Sequence, residues 1–217
     1  AGGSPADLGS HRGVTHVASN FAAMFPDLSP GRHFDSIGPV ERERWDFNVF
    51  TRVMQNLKEA PVPFCGFLRD VDLFDHACFG ISYMEGVVMD PQQRLILHVG
   101  WEALQASHSE DVSGTGVFVG VQHLEYWVRG LQHLEKLPVY SVTSSSLSVV
   151  AGRASYIFGL HGPSFAVDTA CSASLVAMDS ALSPSSPCDT SMIGGVELLL
   201  GQHTAILIQC AGMLSPD

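Results

Sequence analysis

Basic residues and long apolar runs are both scarce in this sequence. Its 217 residues include 11 Lys and Arg against 22 Asp and Glu, which gives a formal net charge of −11 at pH 7. This charge argues against nucleic acid or an anionic membrane as the main partner. No apolar run approaches the ~20 residues of a membrane-spanning helix, so we expect no membrane span.

Paired cysteine motifs are also absent. The five cysteines are odd in number, irregular in spacing and never in a C-x-x-C arrangement. This pattern predicts reduced thiols in a cytoplasmic compartment, with neither a disulfide framework nor a metal site. Residues 1–13 lack an apolar signal core and predict a flexible lead-in. The chain begins with Ala1 rather than Met, which leaves organelle targeting open.

The composition is that of a folded domain. Hydrophobic residues make up 46% and charged residues 15% of the chain, which excludes a disordered protein. The length suffices for one domain with a substantial core. The 21 glycines and 12 prolines predict many turns, as in α/β folds.

One stretch, residues 162–177, combines a predicted strand, a tight turn and a predicted helix. Residues 164–167 are short, mostly apolar and follow Gly-Pro, which predicts a buried strand. Beyond the turn, Leu175, Met178 and Leu182 recur at the i, i+3, i+7 spacing of one helix face.

Cys171 stands at the start of this predicted helix. The first turn of a helix carries free N–H groups and a positive dipole end, so it favours a thiolate, which is the nucleophilic form of cysteine. The N–H of Cys171 could also stabilise the oxyanion that forms when a thioester carbonyl is attacked. Small neighbours such as Ala170 and Ser172 leave room for a substrate arm.

Residues 167–175, with the sequence Val-Asp-Thr-Ala-Cys-Ser-Ala-Ser-Leu, resemble the active-site segment of β-ketoacyl synthases of the polyketide synthase and type I fatty acid synthase kind. The alternative is a strand–turn–helix with a buried structural cysteine.

Residues 90–94, Asp-Pro-Gln-Gln-Arg, are a second match to the same family. There Asp90 is a predicted N-cap, Pro91 the first helical residue, and Gln93 the partner that completes a capping box. We interpret this motif as structural, opening a buried helix that ends near Ser107.

Further segments fit the same family. Residues 117–121 and 191–197 predict buried strands, and residues 144–158 predict a buried helix that Gly159 ends. Gly152 is predicted to allow close approach of helix and sheet.

Other side chains suggest packing rather than chemistry. Arg153 fits a structural ion pair, and Cys65 and Cys78, each flanked by Phe, are predicted core residues. His123 and His133 lie ten residues apart, which does not place them on one helix face, so they predict no metal site.

The resemblance implies a thiolase-like layered α-β-α fold, of which this chain is the N-terminal half. Residues 14–217 would form a partial ketosynthase domain, with residues 14–34 divergent. In the complete domain two similar halves pack together and two subunits form a homodimer. One half alone would expose an apolar face that favours association.

The resemblance also implies that Cys171 is the catalytic nucleophile. It would take an acyl chain from a thioester, and the complete domain would then catalyse decarboxylative Claisen condensation with a malonyl-type extender on an acyl carrier protein. The phosphopantetheine belongs to that carrier, so no cofactor is expected on this chain.

The family's two histidine motifs are missing from this sequence, and neither His161 nor His203 has the matching context. We therefore expect the isolated chain to make no condensed product. Two alternatives stay open: a degenerate half-domain that acts as a non-catalytic scaffold, and a thiolase or acyltransferase of the same fold.

Overall fold

The computed structural model describes residues 37–40, 44–57, 61–107, 111–127 and 138–214. The predicted lead-in, the divergent segment 14–34 and His133 lie outside these residues. The described helices are α1 (Phe47–Asn56), α2 (Tyr83–Val88), α3 (Pro91–Ala106), α4 (Ser141–Ser144), α5 (Leu147–Phe158), α6 (Ala173–Leu182) and α7 (Gln202–Cys210). The described strands are β1 (Ile37–Pro39), β2 (Phe64–Gly66), β3 (Gly116–Val121), β4 (Ser164–Val167) and β5 (Ser191–Val196).

A parallel sheet of β3, β4 and β5 forms the centre of the fold. Strand β3 lies in the middle, with β4 and β5 on either side. In the register, Gly120 is opposite both Val167 of β4 and Gly195 of β5. Because parallel neighbours need crossover connections, helix α5 leads from β3 to β4 and helix α6 from β4 to β5. Strands β1 and β2 form a separate antiparallel pair.

Helices cover both faces of this sheet. Alternate side chains of β3, Val117, Val119 and Val121, pack on the side of α3 and α5. Between them Phe118 faces α6 on the other side. The helix side chains buried against the sheet are Ile96, Leu97, Val150, Ala151, Ala154, Ala177 and Ala181. The predicted layered α-β-α arrangement is therefore confirmed.

The predicted elements around the sheet form with small changes of boundary. Strands β3 and β5 and helix α3 match their predicted ranges. The helix predicted from Ser144 is divided into α4 and α5. Helix α5 ends at Gly159, whose φ of 66° is the left-handed conformation that favours glycine at a C-cap.

The predicted burial of β4 and β5 is wrong, because no residue of either strand is buried. The apolar face of α6 that the sequence spacing indicates is also not the face that packs on the sheet. Strand β4 is an edge strand of the described sheet, and Phe165 keeps 40% of its surface exposed. On α6, Leu175 is 69% and Leu182 44% exposed. The sheet instead contacts a row of small residues, because α6 lies too close to the strands for larger side chains. These residues are Ala173, Ala177 and Ala181.

Three other packing predictions need correction. Helix α3 is not buried along its whole length, since Trp101 near its C-terminal end is 44% exposed. Cys78 is exposed and Cys65 only half-buried, whereas Cys188 is the cysteine buried in the core. Gly152 makes no close approach to the sheet, because a Cβ built there meets nothing within 4 Å.

A second, smaller core joins α1 and α7. Phe50 and Met54 of α1 are buried against Ala205 of α7, with Trp45 beside them. Among the described helices, none has the length and apolar character that crossing a membrane would require.

Candidate active site

The turn between β4 and α6 is held by its own side chains. The Asp168 carboxylate accepts the N–H of Ala170 at 3.0 Å. The Ser172 hydroxyl donates to the carbonyl of Thr169 at 2.8 Å and contacts its hydroxyl at 3.0 Å. These bonds stabilise Ala170 in the left-handed region, at a φ of 54°, where a residue with a side chain is strained. The turn places Cys171 next to the N-cap residue Ser172, two residues before the first residue of α6.

Helix α6 begins without a side-chain cap. Ser172 occupies the N-cap position, but its hydroxyl is used by the turn and makes no cap hydrogen bond. The N–H of Ala173 donates to the carbonyl of Ala170 at 3.0 Å, whereas the following N–H groups of a first helical turn lack intrahelical acceptors. This end of the helix is therefore positive and favours an anion. Cys171 is exposed beside it. The predicted placement of the thiol at a helix start is therefore confirmed.

Two glycines bring α6 into contact with the backbone of the sheet. A Cβ on Gly120 would lie 2.5 Å from the carbonyl carbon of Ala173. A Cβ on Gly195 would lie 2.7 Å from the Cβ of Ser174. Such distances leave no room for a side chain, so the first turn of α6 is seated on β3 and β5. This contact fixes Cys171 at the carboxyl edge of the parallel sheet, where α/β folds commonly bind ligands.

Titratable side chains follow the other two strands at this edge. His123 Nδ1 lies 3.9 Å from a carboxylate oxygen of Glu197, which comes directly after β5. Burial raises the pKa of Glu197, although the nearby His123 partly offsets the effect. In the described part of the chain, no group of three or more His, Cys, Asp or Glu side chains could hold a metal ion.

Glu125 has a structural role that the sequence did not reveal. Its carboxylate accepts the N–H groups of Leu200 at 2.9 Å and Gly201 at 3.1 Å, and it accepts the hydroxyl of Thr204. It therefore caps α7 from a distant part of the chain. No local spacing could have indicated this contact, because the partners are 75 or more residues apart.

The Asp90 carboxylate begins α3, as predicted. One oxygen accepts the N–H of Gln92 at 2.9 Å, and the other accepts the N–H of Tyr126 at 3.3 Å. Burial raises the pKa of Asp90 to about 6, although these N–H groups and Arg94 favour its charged form. The carboxylate thus joins α3 to the segment after β3.

The predicted capping box is wrong, because Gln93 bonds elsewhere. Its amide donates to the carbonyl of Thr143 at 3.0 Å and its oxygen accepts Arg153 Nε at 2.9 Å. Arg153 also forms a salt bridge with Glu85, and its side chain is only 8% exposed. The ion-pair prediction for Arg153 is confirmed. The network ties α2, α3 and α5 together, which supports the structural interpretation of residues 90–94.

His161 and His203, the two histidines considered as catalytic candidates, are not brought to the turn that carries Cys171. His161 precedes β4, and its N–H donates to the carbonyl of Ser113 at 2.6 Å. It therefore lies at the amino end of the strand, whereas Cys171 follows the carboxyl end. His203 is exposed on α7. Neither histidine gains a functional assignment from the structure.

Comparison with known proteins identifies the family. The model of "Beta-ketoacyl synthase, N-terminal domain" matches residues 30–217. The chain belongs to the β-ketoacyl synthase family. The predicted family is thus confirmed, while the domain boundaries at residues 13 and 34 stay predictions.

Curated relatives of this β-ketoacyl synthase chain are polyketide synthases. A phenolphthiocerol/phthiocerol polyketide synthase of Mycobacterium tuberculosis is 37% identical over 189 residues, covering 84% of this chain and 10% of the relative. Polyketide synthase GfsE of Streptomyces halstedii is 44% identical over 140 residues, 62% of this chain and 4% of that protein. The chain thus spans about a tenth or less of the length of these relatives.

Solved structures agree with the predicted thiolase-like fold. The oxazolomycin ketosynthase domain OzmH KS7 of Streptomyces albus JA3453 aligns with a TM-score of 0.71 at 30% identity, over 90% of this chain and 35% of that one. The module 6 ketosynthase of the bacillaene synthase of Bacillus subtilis 168 aligns with a TM-score of 0.64 at 29% identity, over 83% and 30% of the two chains. The chain is therefore a ketosynthase N-terminal domain that covers part of the complete domain.

Proposed function

We propose that this chain supplies the acyl-accepting cysteine of a polyketide-type β-ketoacyl synthase. The observation that carries the proposal is the position of Cys171. Its thiol is exposed at the uncapped start of α6, at the carboxyl edge of the sheet. A thiolate there gains from the helix dipole, and a carrier-bound thioester can reach it from solvent.

The first step is a transthioesterification. The Cys171 sulfur attacks the carbonyl carbon of an acyl thioester, and a new carbon–sulfur bond forms through a tetrahedral oxyanion. The bond to the donor sulfur then breaks. The phosphopantetheine thiol of an acyl carrier protein leaves with the proton that the cysteine released.

The second step requires the complete domain. A malonyl-type thioester would lose carbon dioxide, and its α-carbon would attack the acyl group and release the Cys171 thiolate. The family's two histidine motifs, which would assist this step, are absent from the sequence. Loss of a single group that stabilises the transition state typically costs about a hundredfold or more in rate. The isolated 217-residue chain therefore loads an acyl group but does not condense it.

Pairing of two complete domains into a homodimer belongs to the same proposal. Strand β4 is an edge strand of the described sheet, and Phe165 on it is 40% exposed. A free strand edge with an apolar side chain favours pairing with another strand. The five cysteines form no disulfide in the structure. A cytoplasmic location is also part of the proposal, and a fluorescent fusion would test it.

The experiment separates the two steps. The chain is first incubated with an acyl-loaded carrier protein and then with a malonyl-loaded one. We expect acyl transfer to the chain and no 3-ketoacyl product. Formation of that product by the chain alone would overturn the requirement for the missing histidines.

A second candidate is a non-catalytic scaffold, and the exposed apolar face of α6 favours it. Leu175 and Leu182 are exposed, and exposed apolar side chains on one helix face are typical of a protein–protein interface. If the scaffold is the true function, Cys171 takes no more acyl group than Cys78, which is also exposed. Selective loading of Cys171 would rule it out.

A further inference from the structure

A cavity of about 650 Å³ opens between the loop after β2 and the start of α3. Its volume falls in the range of about 300–1,000 Å³ that small-molecule sites occupy. Its walls include the ring of Tyr126 and the apolar side chains Leu68 and Leu200. It is separate from Cys171, which does not line it.

Arginines are concentrated around this cavity. The described residues contain five cationic Lys or Arg side chains, namely Arg44, Arg52, Arg69, Arg94 and Arg153. Three of these five, Arg44, Arg69 and Arg94, line the cavity. In a chain whose net charge is −11, this concentration is a local reversal of sign. Such a reversal favours an anionic ligand.

Two of the guanidinium groups are held in place by the fold. Arg94 is 8% exposed, and it donates to the carbonyls of Met89 at 2.9 Å, Val87 at 3.2 Å and Asp72 at 3.3 Å. A guanidinium has five N–H donors, so two remain after these three bonds. Arg44 donates to the carbonyl of Leu68 with its guanidinium carbon 5.3 Å from the Phe67 ring centroid.

Carboxylates do not neutralise these arginines by contact. Asp70 and Asp72 also line the cavity, but within the described ranges neither forms a salt bridge with an arginine. The third arginine, Arg69, is exposed and has no ion-pair partner in that part of the chain. An anion that entered the cavity would meet preorganised N–H donors together with a free guanidinium.

We propose that this cavity binds a phosphate-bearing ligand. Guanidinium groups match phosphate oxygens with paired hydrogen bonds, and a fixed arginine gives up little conformational entropy when it binds. The neighbouring Tyr126 ring and apolar walls would contact an organic group attached to the phosphate. Inorganic phosphate and the phosphate of a pantetheine arm share this chemistry.

Isothermal titration calorimetry tests the proposal with three probes. These are 4′-phosphopantetheine, pantetheine without the phosphate, and inorganic phosphate. The two phosphate-bearing probes are expected to bind and pantetheine is not. If phosphopantetheine binds more tightly than inorganic phosphate, the site is assigned to a pantetheine arm. If the two bind equally, it is assigned to the free anion.

A matched pair of variants gives the control. Arg69→Gln removes an exposed cavity arginine that makes no ion pair in the described structure, and Arg52→Gln removes an exposed arginine on α1 outside the cavity. A charge-assisted hydrogen bond is worth enough to weaken phosphate binding about tenfold in the first variant. The second should bind within about twofold of the unchanged chain, since it loses only distant, screened charge.

Three results would overturn the proposal: no phosphate probe binds, pantetheine binds as well as phosphopantetheine, or the two variants weaken binding equally. The Cys171→Ala chain should bind phosphate like the unchanged chain. Loss of acyl transfer to Cys171 would therefore contradict the proposed function and leave the phosphate site standing. Failure of the phosphate probes to bind would contradict the phosphate site and leave the proposed function standing.

Discussion

Gly120 of β3 lies directly against Ala173 of α6, so that a Cβ on the glycine would stand 2.5 Å from the carbonyl carbon of the alanine. This contact seats the start of α6 on the sheet and determines where the preceding Cys171 is presented. The position of the thiol thus depends on the absence of a side chain at Gly120.

Substitution Gly120→Ala should therefore damage both stability and acyl transfer. The added methyl group must push α6 off the sheet, and overpacking of this kind lowers the free energy of unfolding by about 1–3 kcal/mol. A displacement of Cys171 by about 1 Å can cost on the order of a hundredfold in rate. Chemical denaturation measures the first effect and the rate of Cys171 acylation the second.

Gly152→Ala is the matched control. A Cβ on Gly152 meets nothing within 4 Å, and the residue lies inside helix α5. Because alanine favours a helix more than glycine does, this variant should gain about 0.5–1 kcal/mol and acylate normally. Equal losses in Gly120→Ala and Gly152→Ala would contradict the role of the α6 contact.

The salt bridge between Arg153 and Glu85 is a second point at which the fold can be tested. Arg153→Met leaves the Glu85 carboxylate without its partner and removes the donor to Gln93. Removing one partner of a buried ion pair lowers the free energy of unfolding by about 3–5 kcal/mol. The loss should be smaller here because the Glu85 side chain is 22% exposed. In a double-mutant cycle with Glu85→Gln, the two losses should be far from additive. Additive losses would show that the two side chains are energetically independent.

Asp90 should make the stability of the fold depend on pH. Burial raises its pKa from 3.8 to about 6 in the folded chain, so the folded state holds this proton more tightly than the unfolded state does. The free energy of unfolding should therefore fall as pH rises from about 4 to about 6, by roughly 3 kcal/mol. Denaturation at several pH values measures this slope.

Asp90→Asn provides the comparison. Asparagine can still accept the N–H of Gln92 at the helix start but has no proton to exchange. The difference in stability between this variant and the unchanged chain should vary across pH 4–6 and be constant above about pH 7. A difference that does not change with pH would contradict the burial effect on Asp90.

The sequence predicted the sheet and its crossover helices because their signals are local. Apolar runs, N-caps and C-cap glycines each lie within or next to a single element. Gly159, the C-cap of α5, is one example. The face of α6 could not be predicted in this way. The spacing of Leu175 and Leu182 indicates an apolar face, but only the distant Gly120 shows that the sheet accepts nothing larger than alanine.

Long-range polar partners were hidden for a related reason. Gln93 fits a capping box by its spacing, and the structure pairs it instead with Arg153, 60 residues away. At the candidate site, the sequence alone placed Cys171 at a helix start. It gave no sign that Ser172 would leave that helix uncapped, because the choice depends on the geometry of the turn.

The five cysteines should differ in their reaction with iodoacetamide. Cys188 is 7% exposed and should react last. Burial raises the pKa of Cys65, so less of it is thiolate at pH 8 than for an exposed thiol, and it should react more slowly than Cys78. Peptide mapping after timed quenching gives the order. Early modification of Cys188 would contradict the packing of α6 and β5.

The most direct test of the account is where a thioester places its acyl group. The chain is incubated with an acyl N-acetylcysteamine thioester, and the acylated peptide is found by mass spectrometry. We predict one acyl group on Cys171, which hydroxylamine removes, with none on the Cys171→Ala chain and unchanged loading on the Cys78→Ala chain. Equal acylation of Cys78 and Cys210, or none at Cys171, would contradict the assignment of Cys171 as the nucleophile.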